Sequence, residues 1–175
     1  MIVKKNLMIV AAVILMGVAS FAQTKIGFVD SQLILQQLPI AIKAQGDLDA
    51  LTNKWSAHID SLSKELQNDY ANYQKNAKTY DKTKLESEQK RLVAKQQIID
   101  DYKKAKFGQP NGEIYKKNDE IFGPVKEKIY KAIQDVAKSE GMQFVFDKAG
   151  DAILLYGDPT FDVTYKVLDK LKTGK

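Results

Sequence analysis

The chain has 175 residues, no cysteine, one histidine, and 27 basic against 22 acidic side chains, a formal net charge of +5. Without cysteine there is neither a disulfide framework nor a lipid-modified cysteine, so stability must come from burial or from partner chains. The charge is only mildly basic, short of the dense patches of a dedicated nucleic-acid binder, and this excludes nucleic acid as the expected partner.

The first 22 residues read as a secretory signal peptide. Lys4 and Lys5 supply the positive start, Leu7 to Val18 is apolar, and Ser20-Phe21-Ala22 places small residues where a signal peptidase cuts. The alternative is an uncleaved anchor, but the apolar run is shorter than the ~20 residues needed to span a bilayer. The mature chain is expected to begin near Gln23, soluble outside the cytoplasm, with 25 basic and 22 acidic residues once Lys4 and Lys5 are removed.

Thr24 to Asp30 is rich in β-formers, with Ile26 and Phe28 alternating, and predicts a strand. Asp30 or Ser31 then caps a short helix from Gln32 to Leu38, and Pro39 predicts a break, because the residue before proline avoids helical angles. From about Ile42 the residues Leu48, Leu51, Trp55, Ile59, Leu62, Leu66, Tyr70, Tyr73, Ala77 and Tyr80 recur at steps of three and four. That spacing puts them on one narrow face of a long helix, the seam of a coiled coil.

Tyr80-Asp81-Lys82-Thr83 interrupts the pattern, and Thr83-Lys84-Leu85-Glu86 has the form of a capping box, so a second helix should start there. Leu85, Leu92, Ile99 and Tyr102 carry the returning face. The two limbs form an antiparallel hairpin, and a limb of roughly 40 residues reaches ~60 Å, an arm too long for a compact body of this size. Gly108 to Gly112, with Pro110, and then Gly123-Pro124 predict two kinks in the return limb. These are either hinges or static bends.

Gly141 suits a left-handed helix stop. Met142 to Asp147 and Ala152 to Tyr156 predict two strands joined as a β-hairpin, and a last helix runs from about Asp162 to Lys172. The chain ends therefore meet as a small sheet with the arm looped out between them. The expected fold is mostly α with a small β body. Its parts are the signal peptide (1–22), a β-rich oligomerisation body (23–40 and 141–175) and a helical arm (41–140, tip near 80–83). Three short strands leave open sheet edges, which natural proteins cover or pair, so the body should oligomerise.

Catalysis finds no support. His58 is the single histidine and has no second histidine at ligand spacing, so it reads as a surface residue. There is no nucleophile elbow and no G-x-x-x-x-G-K-[ST] loop, and no cofactor is implied. Adjacent carboxylates such as Asp100-Asp101 point in different directions on a helix. What stands out is the arm tip, with eight basic and four acidic residues between Lys82 and Lys106. It is either an ordinary solvated helix surface or a positive arm attracting acidic clients or anionic lipid headgroups, a lipopolysaccharide surface included. On the second reading Lys82, Lys84, Lys90 and Arg91 with Tyr73 and Tyr80 are the client-binding candidates.

The order of signal peptide, Lys25-Ile26-Gly27-Phe28-Val29-Asp30, long charged hairpin with an Asp81-to-Glu86 tip, Phe144-Val145-Phe146-Asp147, Leu155-Tyr156 and short terminal helix resembles the Skp (OmpH) family of periplasmic chaperones. The resemblance covers essentially the whole mature chain and rests on architecture more than on one motif. It implies a homotrimer with three helical arms around a cavity, holding unfolded outer-membrane β-barrel proteins without ATP. No lipopolysaccharide site carries over, because the Gly108–Gly112 and Pro124 interruptions depart from a continuous helix. The rival expectation is a structural coiled-coil spacer or adaptor of the cell envelope.

Overall fold

The computed structural model describes residues 24–150 and 153–174. The signal-peptide segment lies outside the described residues. Strand β1 (Ile26–Val29) leads into helix α1 (Ser31–Gln37), capped by Asp30, whose Oδ1 accepts from the Leu33 N–H at 2.8 Å. Leu38 is extended and Pro39 takes the first helical position of α2 (Pro39–Asn76), where its missing N–H costs no bond. At 38 residues α2 is about 57 Å long. A 3₁₀ turn (Ala77–Thr79) closes the tip, and α3 (Lys82–Phe107) and α4 (Glu113–Ser139) return. Strand β2 (Phe144–Asp147), a 3₁₀ turn (Pro159–Phe161) and helix α5 (Thr164–Thr173) complete the chain.

The chain ends meet as expected, but the strand pairing differs. β1 pairs with β2 in parallel, Ile26 opposite Phe144 and Val29 opposite Asp147, so the whole arm is the crossover between two neighbouring strands. The other edge of β1 carries a bridge between Phe28 and Asp162, with the Val163 N–H donating to the Phe28 carbonyl at 2.9 Å. The expected hairpin from β2 into 152–156 does not form. Residue 152 lies outside the described residues, and 153–156 run without strand structure. The second edge of β1 is taken by the chain at Asp162, while the outer edge of β2 stays unpaired among the described residues. Ile153, Leu155 and Tyr156 are left 86%, 93% and 81% exposed.

Gly141 ends α4 at φ +65°, where only glycine rests without strain. Its N–H donates to the Lys138 carbonyl at 3.2 Å and that of Met142 to Ala137 at 2.8 Å, the double bond of a Schellman stop. This sharp end aims the chain straight into β2. The packed core lies at the root of the arm. Val29, Ile34 and Leu38 meet Ala41 and Ala44 of α2, Val125, Ile129, Ala132 and Val136 of α4, and Val163, Val167 and Leu168. The small Ala41 and Ala44 let α2 and α4 approach closely there. Pro124 sits inside α4, which continues as helix on both sides of it.

Candidate functional site: the arm and its tip

Along the arm the seam is thinner than at its root. Trp55 and Ile59 on α2, and Leu92 and Ile99 on α3, are buried. Leu62, Leu66 and Tyr73 are half-buried, while Tyr70 is 52% exposed and Val93 70%. Two helices in a hairpin cover only the facing stripe of each other, so apolar side chains at the stripe's margin stay in water.

What the arm lacks in burial it gains in cross-limb ion pairs. Arg91 donates to Asp69 Oδ2 from one guanidinium nitrogen and to Glu88 Oε2 from another, both at 2.8 Å. Lys95 reaches the same Asp69 carboxylate at 2.6 Å, with Glu65 at 3.5 Å. Lys84 pairs with Glu88 at 2.8 Å and lies 5.9 Å from the centre of the Tyr80 ring. Gln89 donates to the Tyr73 hydroxyl at 2.9 Å. The hydrogen bond from Lys95, then that from Arg91, hold the Asp69 carboxyl below its usual range, and Lys84, then Arg91, do the same for Glu88.

Of the six candidate contact residues, four are thus engaged within the arm: Lys84, Arg91 and Tyr80 through the ion-pair clamp, and Tyr73 through its separate cross-limb bond to Gln89. Lys82 and Lys90 are exposed and form no ion pair among the described residues. Sequence reasoning missed the acidic half of the clamp, Glu65, Asp69 and Glu88. The visible signal was the i,i+3 and i,i+4 spacing of Glu88 from Arg91 and Lys84. Asp69 has no such mark, since its partners lie on the other limb. The helix after the tip also starts earlier than the capping box predicts. Asp81, with Oδ1 accepting from the Lys84 N–H at 2.7 Å, is the cap, and Thr83 sits inside the first turn of α3. With the Leu85 N–H already donating to the Asp81 carbonyl, the helical turn begins before Thr83 and leaves it no capping role.

The break in the return limb is tightly closed. Gly112 is buried, its N–H donating to the Gly108 carbonyl, and a side chain there would fall 2.8 Å from the Gly108 nitrogen. Phe107 stands edge-on to Trp55 with ring centroids 5.7 Å apart. The Lys106 ammonium lies 5.0 Å from the Trp55 centroid and 5.5 Å from that of Tyr102, and it pairs with Glu113 beyond the break. His58, the residue weighed as a ligand, stands edge-on to Tyr102 with ring centroids 4.9 Å apart.

No described helix is long and apolar enough to cross a membrane. No curated protein matches the sequence. A crystal structure from Caulobacter crescentus CB15, named as a candidate outer membrane chaperone (OmpH-like), shares the fold with a TM-score of 0.70. It is 15% identical in sequence, and the match covers 88% of this chain and 87% of that one. The family described as Outer membrane protein (OmpH-like) matches residues 25–171, from the first strand through the last helix. With the arm, the parallel two-stranded closure and that span together, the chain belongs to the OmpH-like outer membrane protein family.

Proposed function

We propose that this protein is a periplasmic holdase that keeps unfolded outer-membrane β-barrel proteins soluble without ATP, acting as a homotrimer whose arms surround the client. The observation that carries the reading is a ~57 Å hairpin whose margin exposes apolar side chains such as Tyr70 and Val93, its limbs joined by a thin buried seam and cross-limb ion pairs. A surface of many small apolar and charged contacts suits a client without fixed shape. Membership of the OmpH-like family and the name of its Caulobacter relative point the same way.

The trimer is supported by what the single chain leaves uncovered. Beside the outer edge of β2, Phe144 and Phe146 are exposed, and Ile153, Leu155 and Tyr156 are nearly bare. Exposed large apolar side chains together with an open strand edge mark an association site. The basic residues Lys82 and Lys90 at the tip remain available for acidic client segments or an anionic lipid surface. No catalytic role is assigned to any residue.

The test is light scattering on the mature protein, alone and after a urea-unfolded outer-membrane β-barrel protein is diluted into it. A trimer that holds the client in a soluble complex is the expected result. A trimer beside a precipitated client would instead identify a structural spacer of the envelope.

A further inference from the structure

Between the limbs, near the middle of the arm, runs a trough of about 460 Å³ whose apolar lining is Leu66, Tyr70, Leu92, Val93 and Ile99. Its sides are the neutral polar groups of Ser63, Gln67 and Gln96, and the charged residue lining it is Lys103 at the end nearer the body. No carboxylate lines the trough. The nearby Asp100 is engaged by the Gln96 amide at 3.0 Å and Asp101 by the Gln97 amide at 2.9 Å. Among the described residues Lys103 has no ion-pair partner, in contrast to Lys84, Arg91, Lys95 and Lys106 of the same helix.

Three properties of the trough define what fits it. Its apolar lining calls for apolar side chains. The side-chain hydroxyl of Ser63 and amide of Gln67 make no hydrogen bond among the described residues, so they are available to a peptide main chain that has no partners of its own. The length from Leu92 to Lys103 along α3 is about 16 Å, which extended chain covers in about five residues. The lone cation at one end supplies a direction.

We infer that this trough is a peptide subsite that takes an extended apolar segment of about five residues, oriented by a carboxylate over Lys103. The inference rests on the holdase reading and deepens it. Among the many small contacts of the arm, this one has a defined place and a charge preference, and the paired cations of the tip serve the arm instead. A carboxylate gains by sitting over Lys103, which holds no ion pair among the described residues, whereas a lysine there meets like charge.

Fluorescence anisotropy of two labelled peptides tests this, each an alternating valine-threonine segment ending in either aspartate or lysine. The full-length mature protein is expected to bind the aspartate peptide about threefold more tightly at low salt, the scale of one exposed ion pair. Lys103→Glu should reverse the preference, Lys104→Glu should leave it, and Val93→Asp, at an exposed position, should weaken both peptides. Equal binding of the two peptides, or a preference that survives Lys103→Glu, overturns the subsite. Light scattering on the same preparations separates the two readings. A soluble client complex with no peptide preference discards only the trough, whereas a precipitated client discards the holdase reading and the trough with it.

Discussion

Lys106 shows how much one side chain does at the break in the return limb. Its ammonium faces the Trp55 and Tyr102 rings and pairs with Glu113 on the far side of Gly108–Gly112, so one residue ties α2, α3 and α4 together. Cation–π contacts of a partly shielded ammonium contribute about 1 kcal/mol. Lys106→Ala should therefore lower the urea midpoint by an amount of that order and admit water to the Trp55 ring. Trp55 is the single tryptophan of the chain, so its emission reports this directly. A shift to longer wavelength is expected. Unchanged emission would mean that Phe107 alone seals the ring.

At the scale of the element, α2 and α3 are held over their outer half by the Asp69, Glu88, Arg91 and Lys95 clamp more than by burial. The sign of its pH dependence follows from the carboxyls. Asp69 and Glu88 titrate below their usual values in the folded arm, because cations hydrogen-bond to their charged forms. A carboxyl depressed in the folded state stabilises it above the unfolded value and stops doing so as pH falls through the folded one. The arm should thus keep its cross-limb pairing from pH 8 to about 5, begin to lose its stabilisation below about pH 4, where free carboxyls protonate, and part only as pH falls through the lower values of the folded arm. Spin labels on either limb near the tip, read as an inter-label distance, check this. Asp69→Asn should show the wider distance already at pH 7 and lose most of the acid-dependent change. An identical acid response in that variant would place its origin elsewhere. High salt should loosen the same pairing, since the groups are near water.

At the scale of the whole molecule, a small core at the arm's root must support a lever several times its own depth. That core, from Val29 and Ile34 to Val167 and Leu168, is buried, but Phe144 and Phe146 of the sheet beside it are exposed. A two-stranded sheet is at best marginal alone, and strands need further pairing or packing. On the trimer reading, Phe146→Asp with Leu155→Asp should yield a monomer by light scattering while far-ultraviolet circular dichroism keeps the helical signal of the arm. Both positions are exposed in the single chain, so the substitutions should spare its own packing. An unchanged mass would move the association surface away from this face.

The local chemistry of the sequence determined the elements themselves. The step of three and four placed the arm's seam, Pro39 separated α1 from α2, Gly141 stopped α4, and the apolar positions of the last helix became Val167 and Leu168 of the core. Each of these depends on residues within a few positions of one another, so it can be read along the chain. What depends on residues far apart was decided only in three dimensions. The pairing of β1 with β2 in parallel, the failure of 153–156 to pair, and the meeting of Asp69 with Arg91 and of Trp55 with Lys106 all need the hairpin to close first. A charge on one limb carries no mark of the charge it will face on the other. Cross-limb register, set by burial at the arm's root and by the turn at its tip, chooses the partner.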